Sequence, residues 1–100
     1  MAIDVLMENL RSRAALAPKL GYRVKFDLGD EGIILFDGTG DTPQVAAEDG
    51  DADSTLTLSP EALQQLIDGA LDPTFAYMTG KLKISGSMGV ALKLASMLED

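Results

Sequence analysis

Residues 71–98, LDPTFAYMTGKLKISGSMGVALKLASML, constrain the fold more than any other part of the chain, because three elements and their boundaries follow one another there. Gly86 interrupts a strand and Ser87 is a natural N-cap, which predicts a helix over residues 88–98. At 100° per residue, Met88, Val90, Ala91, Leu92, Leu94, Ala95, Met97 and Leu98 cover an arc of about 220°. Only Gly89, Lys93 and Ser96 remain for water. A helix lying on a sheet needs about half of that arc. The surplus apolar face requires a second neighbour, which is another element of the domain, a second subunit or an apolar ligand. Upstream, Asp72 can cap a helix and Pro73 suits its first position, while Phe75, Ala76, Tyr77 and Met78 fill one or two turns before Gly80 ends them. A segment so short and bulky is better suited to a lid than to a pillar.

The rest of the chain supplies a scaffold. Ile3, Leu6, Met7, Leu10 and Ala14 recur with helical spacing, so residues 2–17 are expected to form an amphipathic helix ended by Pro18 and Gly21. Tyr22, Val24, Phe26 and Leu28 alternate with Arg23, Lys25 and Asp27, the period of a half-buried strand. Glycines at 29 and 32 bracket a tight turn, and residues 33–37 return as the second strand of a hairpin. Residues 44–48 read as a third strand, residues 49–53 as an acidic loop and residues 54–58 as a fourth strand. Ser59 and Pro60 start a helix whose apolar face is Leu63, Leu66 and Ile67, with Gly69 just past its end. A fifth strand over residues 82–85 precedes the last helix. The order α-β-β-β-β-α-α-β-α predicts an α+β domain with its helices on one face of a largely antiparallel sheet.

At 100 residues the chain is expected to make one domain, residues 1–100. Its formal charge of −8 is unevenly spread: between Lys25 and Lys81 lie twelve Asp or Glu residues and no Lys or Arg. That middle section excludes nucleic acid as a partner and would be repelled by an anionic membrane, while Arg23, Lys25, Lys81, Lys83 and Lys93 read as a solvated face or a local basic patch. Uninterrupted aliphatic or aromatic runs reach only four residues, as at 33–36, far short of an integral membrane span. Asp4 and Glu8 stand where a signal peptide would be basic and then apolar, so a cytoplasmic protein is expected.

No Cys and no His are present, which removes disulfides, thiolates and the usual nucleophile–base pairs. Nearly all carboxylates occupy turns and caps. Gly38-Thr39-Gly40 starts like a dinucleotide fingerprint but meets Pro43 where its third glycine belongs, and Gly80-Lys81 lacks the upstream glycine of a phosphate loop. Asp49, Asp51 and Asp53 are spaced like the start of a calcium loop, yet Ser54 replaces its turn glycine and Pro60 its bidentate Glu. The expectation is no catalytic residue, no metal and no cofactor.

The run from Ser54 to Leu94, and most specifically Gly80 to Gly89, GKLKISGSMG, resembles the sterol carrier protein 2 family of lipid-binding domains. That resemblance implies a five-stranded sheet covered by helices, with an apolar tunnel between sheet and helices that takes a fatty acid, acyl-CoA, sterol-like or other lipid. It also supplies the second neighbour of the last helix. On motif positions it places Phe75, Ala76, Met78, Met88, Ala91, Leu92 and Ala95 along the tunnel. Ile33, Leu35, Leu63 and Ile67 are added from periodicity alone. The printed sequence closes on Leu98-Glu99-Asp100, without the peroxisomal tail of some members, so that end of the tunnel is expected to be open. An open apolar mouth invites a homodimer or a partner enzyme. The resulting expectation is a non-catalytic lipid carrier, with the alternative of an accessory module that docks on itself or on a lipid- or quinone-pathway enzyme.

Overall fold

Alternation of apolar and polar residues along the strands gives the sheet one dry face, and helices cover it. The computed structural model describes residues 3–16, 21–40 and 43–98, with side chains over 4–13, 21–40 and 43–94. Helix α1 (Ile3–Leu16) is followed by β1 (Arg23–Asp27), a 3-10 turn (Gly29–Glu31), β2 (Ile33–Asp37), β3 (Gln44–Ala46) and β4 (Ser54–Leu58). Then come α2 (Pro60–Ile67), α3 (Pro73–Met78), β5 (Leu82–Gly86) and α4 (Met88–Leu98). The expected element order and the largely antiparallel α+β plan are therefore observed. Ala2, Ala17 and Pro18 lie outside the described residues, as do the side chains of Ile3, Ala14, Met97 and Leu98. The third strand stops at Ala46 instead of continuing to Glu48, and the fifth includes Gly86.

The sheet order is β3-β2-β1-β4-β5. Every neighbouring pair is antiparallel except β1 and β4, which run parallel with Val24 opposite Ser54 and Phe26 opposite Leu56. This register places Val24, Phe26, Ile34, Phe36, Leu56, Leu58 and Leu82 on one face, where they form a single core with Leu6 and Leu10 of α1, Leu63 and Ile67 of α2, Ala76 of α3 and Ala91 and Leu94 of α4. Polar clamps set the helices over it. Arg11 donates to the Val45 carbonyl oxygen at 2.8 Å, and Asn9 donates to Gln64 at 3.0 Å, tying α1 to β3 and to α2.

Asp53 joins two strands and a helix at one end of the sheet. Its N–H donates to the Arg23 carbonyl, its carboxylate accepts from the Arg23 N–H at 3.0 Å, and its carbonyl accepts from Ser87 at 3.0 Å. The starts of β1, β4 and α4 are thereby held in one place.

The helix starts behave as their sequences dictate. Ser59 accepts from the Ala62 N–H at 3.1 Å, Asp72 from the Phe75 N–H at 3.0 Å, and Ser87 from the Val90 N–H at 3.3 Å. Ser59→Ala is expected to cost about 1 kcal/mol, read as a drop of roughly 4–8 °C in melting temperature. An unchanged melting curve would show that this cap carries no stability.

Candidate functional site

Helix α3 has only six residues and two well-made ends. Asp72 and Pro73 start it, and at its end the Thr79 hydroxyl donates to the Phe75 carbonyl at 2.9 Å before Gly80 turns the chain at φ +80°. It packs on β5 and touches α4. Pro73 and Ala76 are its inward residues, Ala76 completely buried, whereas Phe75 is 54% and Met78 76% exposed. Tyr77 is exposed as well.

On α4 the buried stripe is Val90, Ala91 and Leu94. Met88 and Leu92, one turn apart, adjoin that stripe on the Ala91 side of the helix and are 39% and 43% exposed. On the opposite flank the Lys93 ammonium sits 5.4 Å from the centre of the Tyr22 ring, a cation–π contact. The surplus apolar arc expected for the last helix therefore exists, and within the domain it stays partly open. Two short helices present bulky flexible side chains outward over two buried alanines.

Of the residues expected to border a tunnel, Phe75, Ala76, Met78, Met88, Ala91 and Leu92 lie on these two touching helices. Leu63 and Ile67 are fully buried core residues of α2, in the cluster that also holds Ala76 and Ala91. The side chain of Ala95 lies outside the described residues. Ile33 and Leu35 are not brought to this site. They alternate with Ile34 and Phe36, which the register with Phe26 and Val24 turns toward the helices, so Ile33 and Leu35 sit half-buried on the far face of the sheet. There the acidic loop folds back over them: a Cβ at Gly50 would come within 3.1 Å of Leu35 Cδ2, and Lys25 pairs with Asp49 at 2.6 Å. Because residues 33–36 are apolar on both faces, period alone does not choose between them. Tyr77 was missed as a rim residue, although it lies within the FAYM run that carries its neighbours.

The polar end of the sheet has different chemistry. Arg23, Thr39, Asp51, Ala52 and Asp53 line an open cleft of about 320 Å³, in which Arg23 and Asp53 are already engaged. Arg23 Nε lies 3.2 Å from Asp37, and the Thr39 hydroxyl and N–H both donate to the same carboxylate. Hydrogen bonds from Thr39, then the charge of Arg23, hold the Asp37 carboxyl below its ordinary value of 3.8. Asp49 is lowered as well, chiefly by Lys25. A depressed folded-state value means stability that is complete above the ordinary carboxylate range and lost as pH falls through the lower folded value. Asp37→Asn is therefore expected to flatten the acid limb of the stability curve below about pH 4, by less than about 1 kcal/mol for so exposed a pair. An unaltered acid limb in chemical denaturation at stepped pH would contradict this.

Among the described residues no group of three His, Cys, Asp or Glu is placed to hold a metal ion, and no helix is long and apolar enough to cross a membrane.

Comparison with known proteins agrees with this geometry. The chain is similar to sterol carrier protein 2 of Rattus norvegicus, 45% identical over 49 residues, and to the peroxisomal multifunctional enzyme type 2 of Mus musculus, 37% identical over 68 residues. The matched segments cover 49% and 68% of this chain but only 9% of either relative. Among solved structures, the apo form of sterol carrier protein 2 from Yarrowia lipolytica superposes with a TM-score of 0.73 at 28% identity, over 95% of this chain and 84% of that one. Sterol carrier protein 2 like 2 from Aedes aegypti has a TM-score of 0.74 at 19% identity, covering 96% of this chain and 95% of its own, and so shares the fold. The model of the SCP-2 sterol transfer family matches residues 3–99, and the chain belongs to that family.

Proposed function

We propose that this chain is a non-catalytic carrier module, residues 1–100 acting as one domain, which holds a fatty acid, acyl-CoA, sterol-like or other hydrophobic ligand in an apolar tunnel between sheet and helices. The observation that carries the reading is the open apolar arc of α4 beside α3, where Phe75, Met78, Met88 and Leu92 stand exposed next to buried Ala76 and Ala91. Small residues beneath a rim of bulky flexible ones leave room for a chain once the rim parts, and methionine adapts to irregular apolar shapes. Leu63, Ile67 and Ala95 complete the proposed lining. A protein of the same fold, sterol carrier protein 2 of Aedes aegypti, is described in complex with palmitate, which recommends that acid as a probe.

Driving force is ample. Each buried methylene contributes about 0.8 kcal/mol, so a long acyl chain offers on the order of 10 kcal/mol before ordering costs. In this reading opening moves α3, a six-residue helix capped by Asp72 at its start and followed by the turn at Gly80.

Non-catalytic is supported by the absence of His and Cys and by the employment of the carboxylates: Asp27, Asp37, Asp49 and Asp72 each accept a nearby backbone N–H in a turn or cap. A cytoplasmic setting is part of the same proposal. The second reading, a module docking on itself or on a partner enzyme, rests on the same exposed rim together with the small share of the relatives that this chain matches.

Displacement of a fluorescent fatty acid by palmitate tests the proposal. Saturable one-to-one binding in the micromolar range is expected. Absence of binding together with concentration-dependent dimerisation would overturn it in favour of the docking module.

A further inference from the structure

With no Cys in the chain, methionine supplies all of its sulfur, at positions 1, 7, 78, 88 and 97. The side chains of Met7, Met78 and Met88 are described, and they stand in two different settings. Met7 belongs to the core on α1 and is 8% exposed, whereas Met78 is 76% and Met88 39% exposed. Met78 ends α3 and Met88 opens α4, the helix that α3 touches. Both accessible thioethers therefore lie on the rim of the candidate site, and the shielded one lies away from water in the core.

From this division we propose that Met78 and Met88 form a modification site, oxidised reversibly to methionine sulfoxide by hydrogen peroxide, and that the oxidised rim holds a hydrophobic ligand more weakly. The proposal rests on the carrier reading. In the reaction the thioether sulfur gives an electron pair to one peroxide oxygen, an S–O bond forms and the O–O bond breaks. The departing hydroxide takes the proton of the transferred oxygen and leaves as water. Sulfur loses two electrons and peroxide gains them. Sulfoxide reductases, with a thiol as reductant, return the thioether.

Position decides the consequence. In the free protein a sulfoxide oxygen at Met78 or Met88 faces water and costs the fold little. When the rim closes on an apolar chain, that oxygen gives up water, and the neighbouring Phe75 and Leu92 side chains offer it no donor. The thioether's ability to adapt to an irregular apolar shape is lost as well. At Met7 the same oxygen would breach the core beside Leu6 and Leu10, but burial keeps peroxide away from it. Oxidation thus acts on binding and spares the fold.

Timed treatment with hydrogen peroxide tests the proposal, with peptide mass mapping, melting curves and displacement of the fluorescent fatty acid by palmitate read on the same samples. Sulfoxide should form at Met78 and Met88 well before Met7. Affinity should fall about tenfold or more while the melting temperature stays within a few degrees, and sulfoxide reductases of both stereospecificities should restore it. The double variant Met78→Leu, Met88→Leu keeps Met1, Met7 and Met97; whatever its own starting affinity, peroxide should not change it. Met78→Leu alone should lose part of the sensitivity. Oxidation of Met7 as fast as Met78, an unchanged affinity once residues 78 and 88 are oxidised, or a double variant as sensitive as the parent would overturn the site while the carrier reading stands. An untreated parent protein that takes up no fatty acid would overturn the carrier reading and, with it, this control of binding.

Discussion

Gly86→Val is expected to destabilise the domain by about 3–5 kcal/mol, a large share of the total stability of a chain this size, and to lower its melting temperature by well over 10 °C. Two independent effects combine at this residue. Its φ of +88° is a conformation that β-branched residues rarely adopt, and a Cβ there would lie 2.6 Å from the Asp53 carbonyl oxygen, which is backbone and already accepts from Ser87. Relief would require β5 to move away from β4 at the pair Ser54 and Gly86, and would disturb the start of α4. Gly69→Ala is the control. It shares the positive φ, +77°, but nothing lies within 4 Å of its Cβ position, so only the conformational cost of about 1–2 kcal/mol is expected. Equal melting temperatures for the two variants would show that the close approach at Asp53 does not matter.

Ala91→Trp should separate stability from binding. Ala91 is buried on α4 beside Met88 and Leu92, and in a close-packed interior a side chain of that size costs on the order of 1–3 kcal/mol or more. If the space next to it is a tunnel, the indole occupies what the ligand would occupy. The expected result is a melting temperature within a few degrees of the parent and a fall of about a hundredfold in fatty-acid affinity, the equivalent of three or four displaced methylenes. A strongly destabilised variant that still binds the fatty acid would mean that Ala91 is ordinary core and that the ligand lies elsewhere.

Local chemistry made most of the fold legible. Ser59, Asp72 and Ser87 announce helix starts because each offers an oxygen to an otherwise unpaired N–H, and Gly69 and Gly80 end helices at positive φ. Long-range pairing was not legible in the same way. The parallel contact of β1 with β4 joins residues thirty positions apart, and nothing in either strand distinguishes it from another antiparallel pair. The face of β2 was ambiguous because Ile33, Ile34, Leu35 and Phe36 are all apolar, so register with β1 decided what period left open. Residues 49–53 read only as an acidic loop, and the long-range contacts of Asp49 with Lys25 and of Gly50 with Leu35 on the far face of the sheet were not legible. For the candidate site, the excess apolar arc of α4 pointed to an unmet neighbour, and the GKLKISGSMG motif indicated which kind.

The central claim is that the unmet neighbour is a lipid. Native mass spectrometry of the protein purified from the cells that make it, before and after incubation with palmitate, tests this most directly when solvent extracts are analysed alongside. The carrier account predicts a near one-to-one complex with a copurified lipid, or its formation on adding palmitate. A protein that is empty on purification and stays empty with palmitate in excess would contradict it.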